Sequence, residues 1–543
     1  MNNSLGNITG ATGLTEEDRD RLERLVNVWQ AKLARNRLCK RYYEGRRTAA
    51  EVNLGIAIPE ELSALEVSCC WGAKAVDVLA ARSKFDSYVF SDGETVTELE
   101  GLVRDNQLVL RYQKAVVSEL IHSVVFATVS RGGEGEPKAM VHFHSAESAA
   151  GIWSGRKDRL DCGFAIIDSR VFDKGAEEMP CLVALHTDTH VVEIERGDDL
   201  EWHAEYLPHS MGRPMMEPLM YRPSELRPFG RSRITRSVMT LVDCALRETM
   251  RAEIAAEFNV SPQKYMLGAS DEDFEKSRWE AYIGHWLLVG RDENGDVPQV
   301  GQFSPGTMAY HEAYMRDLAA QFSAATSVPM SSLGVANSNP YSSEAIHAMS
   351  EDLVIEAESL ELSNGRGLYN IGLMMLAISE NVPLSEIPEE ERDFMPHFAD
   401  PAHPSVVSQA AAMIQTASAA PWFAGTEVFF EELGFDAATR ARIMSDKRRA
   451  EAQALIQQQQ IEAAEAQAHQ KQATMYEISS IIKAYRSERI SRNDALVLFA
   501  QVGIGTEQAA HILDDAEDAA ETIAAVSGAA GTVGGEAIDA IGG

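Results

Sequence analysis

The chain has 543 residues, too many for one ordinary hydrophobic core, so roughly two to four folding units are expected. Hydrophobic residues make up 45% and charged residues 24%, the balance of a soluble globular protein, and the formal net charge is −33. That charge excludes a globally basic surface of the kind that grips nucleic acid by displacing counterions; an acidic balance favours solubility, and it leaves open a surface that DNA passes without adhering.

The first dozen residues are mostly Gly, Asn, Ser and Thr and read as loose chain. A helix opens at Thr15, with Glu16, Glu17 and Asp18 where acids suit the helix dipole. Leu22, Leu25, Val26, Trp29 and Leu33 mark its buried face, while Lys32, Arg35, Arg37, Lys40 and Arg41 load its end with positive charge. Further helices are expected from about Pro59 to Ala81 and from about Asn106 to Ile121. Segments Val124–Val129, Met140–His144, Gly163–Ile167, Cys181–His186, His190–Ile194 and Trp202–Leu207 then read as an antiparallel sheet punctuated by Gly, Asp and Glu.

After Pro228-Phe229-Gly230 a strong helix is expected from Ile234 to Phe258, lined by Ile234, Val238, Leu241 and Ala245. A short mixed unit follows, with a strand at Trp286–Val289 and a turn at Asp292-Glu293-Asn294-Gly295. Tyr310, Tyr314, Leu318 and Phe322, spaced by four, mark the next helix. Ser327 to Ser343 contains no charged residue, and a loop so framed by long helices is a candidate functional loop. The long helix beyond it carries Ile346, Met349, Leu353, Ala357, Leu360, Leu368, Ile371, Met375 and Ile378, with a kink expected at Asn364-Gly365-Arg366-Gly367. Pro396, Pro401 and Pro404 suggest a loop, and Glu427–Gly434, Ala437–Gln459 and about Tyr476 to Ala519 read as helical. No Lys or Arg follows Arg492, and the Gly/Ala-rich end reads as disordered.

Chemistry is sparse along this chain. Six cysteines (Cys39, Cys69, Cys70, Cys162, Cys181 and Cys244) form no CxxC and read as reduced cytosolic thiols of a chain without a signal peptide. The apolar run Leu373 to Ile378 falls short of the roughly 20 residues of a membrane span. There is no GxxxxGK[ST], no HExxH and no GxSxG, so no catalytic residue and no cofactor site is assigned. His186, Asp188 and His190 could share one face of a strand and converge on an ion, as could His142 and His144. Polar positions on a solvated sheet face explain them more simply, and no metal is assigned.

Four stretches carry a resemblance to a known family. They are Tyr42-Tyr43-Glu44-Gly45 with Ile58-Pro59 and Trp71; Tyr221-Arg222-Pro223 through Pro228-Phe229-Gly230-Arg231-Ser232-Arg233-Ile234-Thr235; Glu257-Phe258 with Pro262-Gln263-Lys264-Tyr265 and Leu267-Gly268; and Leu333-Gly334 with Asn339-Pro340 and Ser343-Glu344-Ala345-Ile346. In this order they resemble the portal proteins of bacteriophages with long non-contractile tails, over about residues 16 to 455.

The resemblance implies an α+β, multidomain portal fold that assembles as a ring, usually of twelve subunits, at one capsid vertex. Its parts would be an N-terminal α/β wing (1–230), a first stem helix (231–258), a small α/β clip (259–305) and a second stem helix (306–326). A tunnel loop (327–343), a long kinked wing or crown helix (344–380), an all-α crown (381–460) and an acidic, partly disordered C-terminal tail (461–543) would follow. Ser331, Ser332, Leu333, Gly334, Asn337 and Asn339 would face DNA in the tunnel loop; Ile234, Val238, Leu241, Ala245, Tyr314, Leu318 and Phe322 would pack the stem. Implied partners are other copies of the chain, double-stranded DNA in the channel, the terminase large subunit, head-completion or adaptor proteins, and the major capsid and scaffolding proteins, with no membrane. The implied location is the virion, with the host cytoplasm during assembly. A different structural head or connector protein, or a multidomain enzyme, remains the alternative at this level.

Overall fold

Thr15 caps helix α1, Glu16–Tyr43, by accepting a hydrogen bond from the Asp18 amide, and Glu16, Glu17 and Asp18 fill the first turn. The computed structural model describes residues 5–46, 67–91, 95–172, 178–260, 264–267, 299–304, 306–334, 343–402, 406–435 and 437–529. Two units can be separated, Met1–Ala412 and Met413–Gly543. The first mixes helices and strands, whereas the described part of the second is helical, which makes the chain α+β.

In the first unit, helix α2 spans Trp71–Ala80 with Cys70 at its N-cap. It starts later than the sequence suggests: Val67–Cys69 are not helical, and 59–66 lie outside the described residues. Strand β1 is Phe85–Phe90. A helix not expected from the sequence, α3 (Thr97–Asp105), precedes α4 (Leu108–His122), which is the helix expected over 106–121, and the two part at Gln107, whose φ is 50°. Asn106 accounts for the break. Its buried amide donates to Leu102 O and Ala139 O, and its Oδ1 accepts from Val141 N, a local alternative to continuing the helix.

Strands β2 (Val124–Arg131), β3 (Ala139–Ser145), β4 (Ala149–Ser154), β5 (Arg159–Arg170), β6 (Met179–His186), β7 (His190–Arg196), β8 (Trp202–Pro208) and β9 (Met216–Met220) follow. They form two antiparallel sheets where one was expected: β3-β2-β9, and the meander β4-β5-β6-β7-β8. Strand β9 escapes a sequence reading because Pro218 removes a ladder donor; it is tolerated because β9 is an edge strand. Helix α1 covers the meander, and Leu22, Leu25 and Trp29 pack there with Phe164, Val183, Leu185 and Ile194. Each such side chain contributes about 1.5–3 kcal/mol on burial.

Helix α5 is Arg236–Val260 and α6 is Ala309–Thr326. Between them, β10 (Lys264–Leu267) pairs with β11 (Gln299–Gln302). The expected strand at Trp286–Val289 and the turn at 292–295 lie outside the described residues.

Helix α7, Ser343–Glu380, runs unbroken through Asn364-Gly365-Arg366-Gly367, where an interruption was expected. Those glycines serve packing instead. A Cβ on Gly367 would stand 2.4 Å from the Leu219 side chain and 3.2 Å from Pro218 O, so only glycine lets α7 approach β9 this closely. Leu353, Ala357, Leu360, Leu368, Ile371, Met375 and Ile378 are buried in the larger core with α2, α4 and the three-stranded sheet. Pro396, expected in a loop, sits in β12 (Phe394–Phe398), which pairs with β1 across 300 residues of sequence.

Helix α8 spans Val406–Ala419. In the second unit, α9 (Glu427–Glu432) is capped by Thr426, and α10 runs from Ala437 to Arg486. The expected boundary between crown and tail at 460/461 therefore falls inside one helix. Ser491 and Asp494 form a capping box before α11 (Arg492–Gln501), and α12 spans Thr506–Ala529. Ile481, Ala495, Phe499, Ala509 and Leu513 form a small core of their own in the stretch, about Tyr476 to Ala519, expected to be helical.

Candidate functional site

The candidate site is the α5–α6 pair with the turn that follows it. Two contacts fix the pair as antiparallel. His311 Nδ1, early in α6, lies 2.6 Å from Glu248 Oε1 at the midpoint of α5, and Arg233, just before α5, donates to Thr326 O at the end of α6 at 2.5 Å.

Of the residues assigned to stem packing, Ile234, Val238, Ala245, Leu318 and Phe322 are buried, and Leu241 and Tyr314 pack half-buried on the same core. This core is the chain's own. The Phe322 ring lies 5.2 Å from that of Trp71 in α2. Helix α1 abuts the start of α5: Arg35 donates to Ile234 O, and the Tyr42 hydroxyl donates to Asp243 at 2.9 Å.

Behind α6, Ser327 takes a left-handed conformation, and Met330–Leu333 form a single 3-10 turn. Ser331 and Gly334 are exposed and Ser332 is half-buried. Leu333 is a correction. Its side chain is 9% exposed and packs with Val328 in the larger core, because the turn directs one apolar residue inward as it directs Ser331 outward. Asn337 and Asn339 lie outside the described residues.

One feature here had no sequence signal. Arg233 is buried, donates to Ala75 O as well as Thr326 O, hydrogen-bonds the Tyr221 hydroxyl at 2.9 Å, and pairs with Glu356 of α7 at 2.5 Å. Tyr221 also donates to Glu356, and the exposed Arg222 pairs with it at 2.8 Å. One guanidinium thus joins α2, the end of β9, one end of the helix pair (the entry to α5 and the close of α6) and α7. Burial raises the Glu356 carboxyl, but the Arg233 hydrogen bond and charge outweigh it, and the net shift is downward. Arg233 and Tyr221 lie within a segment singled out by resemblance, yet nothing in their spacing announces a partner more than a hundred residues away.

The histidines do not converge as a strand face would suggest. Asp188 pairs with Lys157 and Arg159, and His190 Nε2 lies 3.2 Å from Asp18. His186 is buried near His144 and His209, and burial, reinforced by those neighbours, pushes its pKa down to about 3. Among the described residues no group of His, Cys, Asp and Glu could hold a metal ion. All six cysteines are free thiols, and among the described residues no helix is long and apolar enough to cross a membrane.

No protein-family model matches the chain. Its sequence is 25% identical over 343 residues to the portal protein of Mycobacterium phage L5, covering 60% of this chain and 67% of that one. To the portal protein of Mycobacterium phage D29 it is 24% identical over 336 residues, covering 58% and 66%. The chain thus spans about two thirds of the length of these relatives. Among solved structures, a chain from the virion of a native gene transfer agent superposes with a TM-score of 0.38 at 14% identity, covering 74% of this chain and 93% of that one. A chain from the neck of the native particle, computed with C12 symmetry, gives 0.36 at 12% identity, covering 64% and 84%. These superpositions are loose, and it is the sequence relationship that carries weight: the chain is a homologue of bacteriophage portal proteins, and that relationship supports a portal or connector function.

Proposed function

We propose that the chain is a subunit of a portal ring, a structural and non-enzymatic component of a virion that forms the channel through which DNA enters and leaves the head. The observation that carries this reading is its homology to two curated portal proteins. The antiparallel pair α5 and α6 would form the stem, with a clip between the two helices and the neutral loop from Ser327 onward at the channel. The α/β region before Arg231 would be the wing, and the helices beyond Glu380 the crown and C-terminal part. A conduit must let DNA slide, and a net charge of −33 with an uncharged loop repels or weakly contacts phosphates.

In this reading the terminase docks during packaging, adaptor proteins later, and capsid and scaffolding proteins surround the ring. Ser331, exposed on its turn, would be the described residue best placed to meet DNA, with Gly334 beside it. Heads assembled in cells lacking this chain should contain no DNA, with packaging restored by supplying it. Normal DNA content in its absence would reject the function. The narrower claim for the loop is tested by Ser331→Lys with Ser332→Lys, which should slow packaging.

A further inference from the structure

A second concentration of charge lies where the chain enters α5. A cleft of about 730 Å³ opens between α1, the start of β2 and the segment from Leu226 to Arg236. Its wall contains Lys32 and Arg35 of α1, Arg227 and Arg231 from the approach to α5 and Arg236 at its start, and among the described residues no Asp or Glu lines it. In a chain with 82 acids and 49 bases, an acid-free cleft carrying five cations stands against the overall balance. All five side chains are exposed, and none forms an ion pair with a described residue. Arg35 alone among them is tied back, through Ile234 O and the Met239 sulfur. The neighbouring Glu147, which could have neutralised the cleft, is held instead by His122 at 3.1 Å and Lys40 at 3.6 Å.

The cleft is also apolar. Leu226, at its lip, is 94% exposed, Val28 is 40% exposed, and Phe229 packs half-buried with its ring 5.8 Å from Phe126. Leu226, Val28 and Phe229 beside these cations would match a ligand that carries both acids and an apolar side chain. Duplex DNA supplies phosphates but no apolar side chain to cover Leu226.

We propose that this cleft receives an acidic peptide segment of a partner protein, its carboxylates on the cations of Lys32, Arg227, Arg231 and Arg236 and an apolar side chain on Leu226 and Phe229. Bidentate arginine–carboxylate pairs would set the register, and the apolar contact would set which acidic segments are accepted.

The test uses the full chain and an array of synthetic twelve-residue peptides in which Asp or Glu alternates with Leu, Ile or Phe. Matched arrays carry Ser or Lys in place of the acids, and affinities of captured peptides are read by fluorescence anisotropy. The acidic array should capture the chain and the others should not. Arg227→Glu with Arg231→Glu should weaken the captured peptides at least tenfold, and Leu226→Ser about threefold to tenfold, with unchanged circular dichroism. Capture no better than by the neutral array, or affinities untouched by charge reversal, would overturn the proposal. Displacement of the peptides by a 30-base-pair duplex whose own binding ignores Leu226→Ser would reassign the cleft to nucleic acid. A loss of self-association in the charge-reversed chain, with no peptide binding in the parent, would reassign it to contacts between copies.

Discussion

Arg233 and Glu356 form an ion pair at 2.5 Å with both side chains almost wholly buried, and the pair links the entry to α5 with the middle of α7. Removing one partner strands a charge in the interior. We expect Glu356→Gln to cost about 3–5 kcal/mol in denaturant unfolding, whereas Arg222→Ala, which removes the exposed partner of the same carboxylate, should cost less than about 1 kcal/mol. The folded pKa of Glu356 lies below its ordinary value, so its contribution is full above the ordinary carboxylate range and is lost as pH falls through the folded value. That acid-dependent loss should be absent from the Glu356→Gln variant.

Glu119 of α4 presents the opposite case. Burial pushes its pKa up to about 8, against a hydrogen bond from Asn364 Nδ2 at 2.8 Å that favours the ionised form. The folded state therefore holds a proton that the unfolded chain releases near pH 4.5. Stability should fall as pH rises from there, by roughly 1.4 kcal/mol per unit, until the folded group also ionises. Glu119→Gln should be more stable than the parent at pH 8, with the advantage shrinking to nothing near pH 4. An advantage independent of pH would show that Glu119 is not the titrating group.

Histidines set a second acid dependence. Burial lowers His186 to about 3 and, with His142 nearby, His144 to about 4. Unfolded histidines take up protons below about 6.5, so the folded state loses stability as pH falls from there toward 4. His186→Met should reduce the drop in unfolding midpoint between pH 7 and pH 5, measured at constant ionic strength.

Two glycines in helices should respond in opposite directions to the same substitution. Gly367→Ala drives a methyl group into Leu219 and the β9 backbone and should cost about 1–3 kcal/mol. Gly101→Ala, in α3, meets nothing within 4 Å and should stabilise by about 0.5–1 kcal/mol. Thermal unfolding of the two variants checks both.

The long helices were legible because their apolar residues recur at three and four: the start of α1, the α5–α6 pair and the course of α7 follow from that pattern. Six of the strands were legible from alternation and turn residues. What remained hidden depended on distant parts of the chain. Strand β12 finds β1 across 300 residues, and its proline signals a loop to a local reading. Gly365 and Gly367 suggest a kink until Leu219 and Phe398 are seen against them. Leu333 lies in an uncharged, Ser-rich loop and reads as exposed, yet the core behind α6 has room for it. Likewise, the acid-free cleft is assembled from α1 and a segment about 200 residues later, each unremarkable alone.

The proposed function requires that many copies of this chain close into a ring around a channel, since a portal subunit has no conduit by itself. Class averages of the purified full-length chain in negative stain test this most directly. Rings of about twelve copies with an open axial channel are expected, in the manner of closed cyclic assemblies. A chain that stays monomeric at every concentration, or that forms only compact dimers without a channel, would contradict it.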